Sequence, residues 1–148
     1  MEIRVQESSF DPGAILDAFT ARQTVSGAIV TFTGVTRDLD KRLKSLEIEH
    51  YPGMTEAALH KMAEDAQRRW SLDDVLILHR FGMLAPREPI MMVATASRHR
   101  KAAFEAADFL MDYLKSRAPF WKKEVTADGA RWVDGKDEDE AALAAWAR

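Results

Sequence analysis

Apolar and polar positions along the chain follow two rhythms, a period of two for strands and of three to four for helices. Residues 2–6 (EIRVQ) alternate as a short strand, Asp11-Pro12-Gly13 punctuates, and Ile15, Leu16 and Phe19 give 14–22 a helical spacing. Residues 27–33 (GAIVTFT) are β-branched and aromatic, which predicts a strand. Over 43–51, Leu46, Ile48 and His50 alternate with Glu47 and Glu49, so the two acids share one face, expected to be the wet one. Pro52-Gly53 ends that strand, and Thr55 is read as the N-cap of a helix over 56–70 with Leu59, Met62, Ala63, Ala66 and Trp70 on its apolar stripe. The runs 74–80 (DVLILHR) and 89–95 (PIMMVAT) are continuously apolar, as expected of strands covered on both faces or at an interface.

A long helix is predicted over 99–117, its stripe made of Ala103, Ala107, Leu110, Met111 and Leu114, with Ser97 available to cap it. It stops at Ala118-Pro119, because proline has no amide to donate and crowds the residue before it. Residues 120–126 and 130–133 flank Asp128-Gly129, a hairpin signal, and 138–147 reads as a last helix ending near Trp146. The order β-α-β-β-α-β-β-α-β-β-α predicts an α+β fold with a mixed or largely antiparallel sheet flanked by helices.

Length changes little in this picture: 148 residues make one domain, 1–148, of which the acidic segment 134–148 is the looser part. No apolar run approaches the roughly 20 residues that span a bilayer, and Met1 to Val5 lacks the layout of a signal peptide. A cytoplasmic protein is expected. Cysteine is absent, which excludes disulfides, thiolate nucleophiles and thiolate metal sites. The net charge of −3 is uneven: 134–140 (DGKDEDE) carries −4, leaving the other 141 residues at +1. That body is too weakly basic for a nucleic-acid surface, yet it contains two cationic knots.

The chemistry starts from those knots, since GxGxxG, GxxxxGK[ST], GxSxG and HExxH are all missing and the four histidines have no ligand-like spacing. No metal or cofactor is expected. Ser97-Arg98-His99-Arg100-Lys101 opens the long helix, where cations oppose the helix dipole. Either they splay into water, or they join the exposed amides in holding a phosphate. Lys115-Ser-Arg117-Ala-Pro-Phe-Trp-Lys122-Lys123-Glu124 straddles the proline break. It is either a solvated basic face, with Lys115 serving the helix C-terminus, or a place where Lys122 returns to Lys115 and the cations hold an anion beside an aromatic surface. Such neighbours would lower each other's pKa, while the helix end favours a charged Lys115. Arg37, on the exit of the strand, is either a phosphate clamp or an ordinary strand-end arginine.

The strings VTFTGVTRD (30–38), LEIEHYPGM (46–54), HRFGML (79–84) and above all SRHRKAAFEAADFLMDYLKSRAPFWKKE (97–124) resemble the large, catalytic subunits of molybdopterin synthases over about residues 26–133. The resemblance implies an α/β hammerhead-type fold with added antiparallel strands. It implies a sulfurtransferase that converts cyclic pyranopterin monophosphate into molybdopterin by installing a dithiolene. The sulfur comes from the C-terminal Gly-Gly thiocarboxylate of a small ubiquitin-like carrier subunit, in a heterotetramer around a central homodimer. Carried over by motif, Lys115 and Lys122 are the catalytic lysines. His99 and Arg100 match a substrate-binding pair supplied by the neighbouring protomer. Arg37 matches a loop arginine, with Val35 and Thr36 beside it as backbone contacts, and Lys123 and Glu124 complete the stretch after Lys122. Where an aliphatic residue is expected, this chain has Thr36.

Two other classes compete. A non-catalytic scaffold would keep the carrier surface without the chemistry, and retention of both lysines argues against it. An anion- or nucleic-acid-binding module built on 115–123 would bind oligonucleotides in a salt-dependent way, which the net charge disfavours. Neither nucleic acid nor a membrane is expected as a partner.

Overall fold

The computed structural model describes residues 1–38, 41–133 and 137–147. The middle of the charged loop 37–42 and the start of the acidic segment 134–140 therefore lie outside the described residues.

Strand β1 (Glu2–Gln6) leads to helix α1 (Pro12–Ala21), which starts two residues earlier than its apolar spacing predicts. Asp11 caps it, accepting from the amides of Gly13 and Ala14, and Pro12 supplies a first-turn residue with no amide to satisfy. Then follow β2 (Ala28–Val35), β3 (Leu43–His50), α2 (Met54–Trp70), β4 (Asp74–Arg80), β5 (Gly82–Leu84) and β6 (Pro89–Ser97). Helix α3 (Arg100–Ser116), strands β7 (Phe120–Thr126) and β8 (Gly129–Trp132), and helix α4 (Asp137–Ala144) complete the order.

The strands form two four-stranded sheets rather than one. The first runs β1-β4-β6-β2, with β1 parallel to β4 and the other neighbours antiparallel. The second runs β5-β3-β7-β8 and is antiparallel throughout. β4 and β6 are central in the first sheet, which explains their unbroken apolar runs. Leu76, Leu78, Ala94 and Ala96 face Phe19 of α1, while Val75, Ile77 and Val93 face the opposite way. That second face shares one core with Leu59 and Met62 of α2, Ala106 and Leu110 of α3, and Leu46 and Ile48 of the second sheet.

Local chemistry moved three boundaries. Thr55 does not cap α2: Gly53 is the cap residue, the Glu56 carboxylate accepts from the Gly53 amide, and the Thr55 hydroxyl donates back to the Tyr51 carbonyl at 2.8 Å. Ser97 does not cap α3; it ends β6, and His99 is the cap residue. The β7–β8 turn is centred on Ala127 and Asp128, one residue earlier than expected, because Thr126 pairs directly with Gly129 and its Oγ1 accepts from the Asp128 amide. Gly129 itself takes φ +119°, a conformation that costs glycine little. The fourth helix folds back on α3, and the residues after it reach α2. Trp146 stands edge-on to Trp70 and Phe109, and its Nε1–H donates to Asp112. Among the described residues, no helix is long and apolar enough to cross a membrane.

Candidate active site

The two cationic knots lie at opposite ends of α3. Fifteen residues separate Arg100 from Lys115, a rise of about 22 Å at 1.5 Å per residue. β2 is antiparallel to β6, pairing Ala28 with Ser97 at one end and Val35 with Pro89 at the other. The α3 N-terminus follows the Ser97 end, and its C-terminus returns toward the Val35 end. Arg37 therefore shares an end of the molecule with Lys115, while His99 and Arg100 stand at the other.

At the C-terminal end, the Arg117 amide closes the helix on the Tyr113 carbonyl, and its guanidinium forks onto Glu140 of α4 at 2.7 and 3.1 Å. Pro119 turns the chain into β7. Phe120 and Lys122 then point to the same side as Ile48, which is 1% exposed and pairs directly with Lys122. Lys115 is exposed in the last turn of α3, and Lys122 is half-buried beneath it. Burial lowers the Lys122 ammonium pKa from its usual value, the Lys115 charge lowers it further, and Asp139 works against both. The juxtaposition expected from the proline break is present.

Alternation along β7 splits the rest of the motif. Lys123 points to the outer face of the sheet, 3.5 Å from Glu47 and 4.9 Å from the centre of the Trp132 ring. Glu124 returns to the Lys122 side, 3.7 Å from Arg131. Any contact from Lys123 to a ligand beside Lys122 would have to come from its backbone.

Around Arg37 the chain leaves β2 through a register shift between Gly34 and Val35. Val35 is 50% exposed and Arg37 is exposed, whereas Thr36 is 2% exposed. The Thr36 amide donates to the Glu88 carbonyl and its carbonyl accepts from the Arg87 amide, both at 2.9 Å. Both backbone groups of Thr36 are thus engaged by the 85–88 turn, which leaves only the second lone pair of its carbonyl for a backbone contact to a ligand. Its Oγ1 is buried with no partner among the described residues. The turn is held in place by Arg80, whose guanidinium meets Glu88 at 2.7 Å and the carbonyls of Glu7 and Pro89.

The other end of α3 is an open hollow of about 680 Å³ lined by Gly27, Ala28, Arg98, His99, Arg100, Lys101, Phe104 and Glu105. Gly27 is needed there, since a Cβ would stand 2.8 Å from the Arg98 carbonyl oxygen. With exposed cations and amides and a 62% exposed Phe104, the hollow suits a flat anionic molecule.

The family model described as MoaE protein matches residues 5–117. The chain belongs to that family. It is 60% identical over 146 residues to the molybdopterin synthase catalytic subunit of Cereibacter sphaeroides, covering 99% of this chain and all of that relative. Among solved structures it is similar to the molybdopterin biosynthesis MoaE protein of Burkholderia ambifaria, with a TM-score of 0.85, 52% identity, and 99% and 98% of the two chains covered. Molybdopterin synthase from Staphylococcus aureus gives a TM-score of 0.81 at 28% identity over 88% and 96%.

For this MoaE-family chain, sequence reasoning missed two side chains beside the knots. Phe104 carries a signal, an aromatic one helical turn beyond Arg100, but its exposure depends on how α3 sits on β2. His79 carries none: it closes an apolar run, and only the fold brings it under Lys122.

Proposed function

We propose that this chain is the catalytic subunit of a molybdopterin synthase, a sulfurtransferase of molybdenum cofactor biosynthesis acting as one unit over 1–148. Its substrate is cyclic pyranopterin monophosphate. Its sulfur donor is the C-terminal thiocarboxylate of a small ubiquitin-like carrier ending in Gly-Gly. The product carries a dithiolene. The observation that supports this best is the pairing of exposed Lys115 with half-buried Lys122 at the C-terminal end of α3, on the end of the molecule where Arg37 leaves β2.

In this reading Lys115 meets the carrier's tail and the substrate together. Its side-chain nitrogen orients the thiocarboxylate and stabilises the negative charge that develops as the cyclic phosphate opens. Lys122 has a depressed pKa, so it gives up its proton more readily than an ordinary lysine and is more often neutral and able to accept one, which suits it to the proton transfers. Arg37, with Val35 and Thr36 shaping its approach, holds the phosphate, and Lys123 and Glu124 complete the wall through the backbone and inner face of β7.

His99 and Arg100 cannot reach this pocket within one chain across about 22 Å of helix. They serve the pocket of a second copy, which makes the catalytic unit a homodimer with a carrier at each end, a heterotetramer. Location in the cytoplasm follows from the same assignment.

A single-turnover assay with the purified chain, the cyclic pterin and a thiocarboxylated carrier tests the reading. Dithiolene formation that requires both partners is expected, read as the fluorescent oxidised pterin. Carrier binding with no product would leave a scaffold in place of an enzyme.

A further inference from the structure

The lysine pocket has a floor made by the meeting of the two sheets. His79, near the end of β4, lies flat on Phe120 at the start of β7, with ring centres 3.7 Å apart and planes 15° from parallel. His79 is 4% exposed, and its Nδ1–H donates to the Arg80 carbonyl at 2.8 Å. The ring cannot turn without leaving a buried donor unpaired. His50 flanks the same Phe120 at 6.1 Å and packs on Phe81 at 4.5 Å. Its Nδ1 is 3.0 Å from Thr55 Oγ1, whose own proton goes to Tyr51, so His50 is fixed as well. Phe120 is two residues before Lys122 and on the same side of β7.

We propose that the His79–Phe120 stack is the positioning element for Lys122: it pins β7 against the first sheet and floors the pocket with rings that carry no charge. The proposal deepens the sulfur-transfer reading and rests on the role given there to Lys122.

The groups facing Lys122 come from every element around it. Lys115 stands on α3 and Asp139 on α4, while His79 on β4 lies close enough to feel the Lys122 charge, with His50 of β3 as its other titratable neighbour. Burial above all pushes the His79 pKa down to about 3, so the ring stays neutral where the enzyme works. A charged ring in that position would add a second cation beneath Lys122. The floor acts through its shape and its dryness, and the imidazole needs no proton chemistry of its own.

The test uses the full chain and two readouts. Lys122 reactivity is followed by isotopic acetic anhydride labelling and mass spectrometry across the neutral to alkaline range, with exposed Lys61 as the internal reference. Turnover is measured with the carrier and the cyclic pterin. His79→Phe keeps a ring on Phe120, whereas His79→Leu and Phe120→Leu remove the stack from either side, so one failed fold does not end the experiment. The labelling midpoint of Lys122 should lie below that of Lys61 in the parent and move up toward it in both Leu variants. Their kcat should fall at least about tenfold with KM little changed, short of the about 10²–10⁴ expected for losing an acid–base group itself. His79→Phe should restore both readouts.

Folded Leu variants with unchanged midpoint and kcat would overturn the proposal. So would a His79→Phe chain as impaired as His79→Leu, which would assign the effect to the imidazole. A midpoint that moves while kcat stays constant would support the floor and instead remove Lys122 from the reaction.

Discussion

The two sheets use similar strand lengths to opposite ends. In the first, β4 and β6 are covered on both faces, and even their polar groups are captured: the Arg80 side chain is 6% exposed and satisfied by Glu88 and two carbonyl-bearing residues. In the second, only the inner face is covered. Its outer face carries Tyr51, Met83, Trp121 and Trp132, all at least 44% exposed, around the Glu47–Lys123 pair. The residues proposed for sulfur transfer stand on the second sheet, at the ends of α3 and at the exit of β2. The middle of the first sheet carries none of them. One sheet supplies rigidity, and the other, with the helix ends, supplies chemistry.

The widest separation between the two should come from a pair of truncations. Ile77→Ala, in the middle of the first sheet and 0% exposed, should cost about 2–5 kcal/mol of stability in denaturant unfolding. The surviving folded fraction should turn over normally. Lys115→Ala should do the reverse, leaving the unfolding midpoint in place and reducing turnover on the order of 10²–10³-fold, as when one group stabilising developing charge is removed. A loss of activity per folded molecule in the first variant, or of stability in the second, would break the division.

A smaller effect separates the sheets by pH. Asp74 begins β4 and receives Arg22 Nε at 2.7 Å, Gln23 Nε2 at 2.7 Å and the amino terminus at 3.1 Å. Burial raises its carboxyl pKa, but these donors outweigh burial and hold it at about 2. The folded state therefore keeps the charge at a pH where the unfolded chain has already taken a proton near 3.9. The stabilisation is complete above that value and is lost as pH falls through about 2. Asp74→Asn should cost about 2 kcal/mol at neutral pH, and the difference from the parent should vanish in acid. At the far end of the scale is Glu140→Gln, which removes the exposed partner of Arg117. It should leave thermal unfolding unchanged within scatter, since exposed pairs contribute little.

The same contrast decides what the sequence makes legible. β4 and β6 read plainly because burial on both faces demands unbroken apolar runs, and α2 and α3 because each buries one stripe. β5 did not, since three residues containing Gly82 carry no periodicity. Nor did the division into two sheets, because pairing partners are chosen by long-range packing that no local pattern encodes. Thr55 misled as a cap because its hydroxyl donates back to the Tyr51 carbonyl, and Ser97 because the strand runs through it and leaves His99 to open the helix. In the site, the proline break after α3 made the approach of Lys122 to Lys115 readable. The engagement of Thr36 by the 85–88 turn and the stack under Lys122 depend on contacts across the fold.

The central claim is that one pocket is built from Lys115 of one copy and Arg100 of another. Mixing Lys115→Ala and Arg100→Ala chains after subunit exchange tests it directly. In mixed dimers one of the two pockets has both residues intact, so turnover should recover to about a quarter of the parent's, from two variants that are each nearly inactive. Mixtures no more active than either variant alone would contradict the shared site.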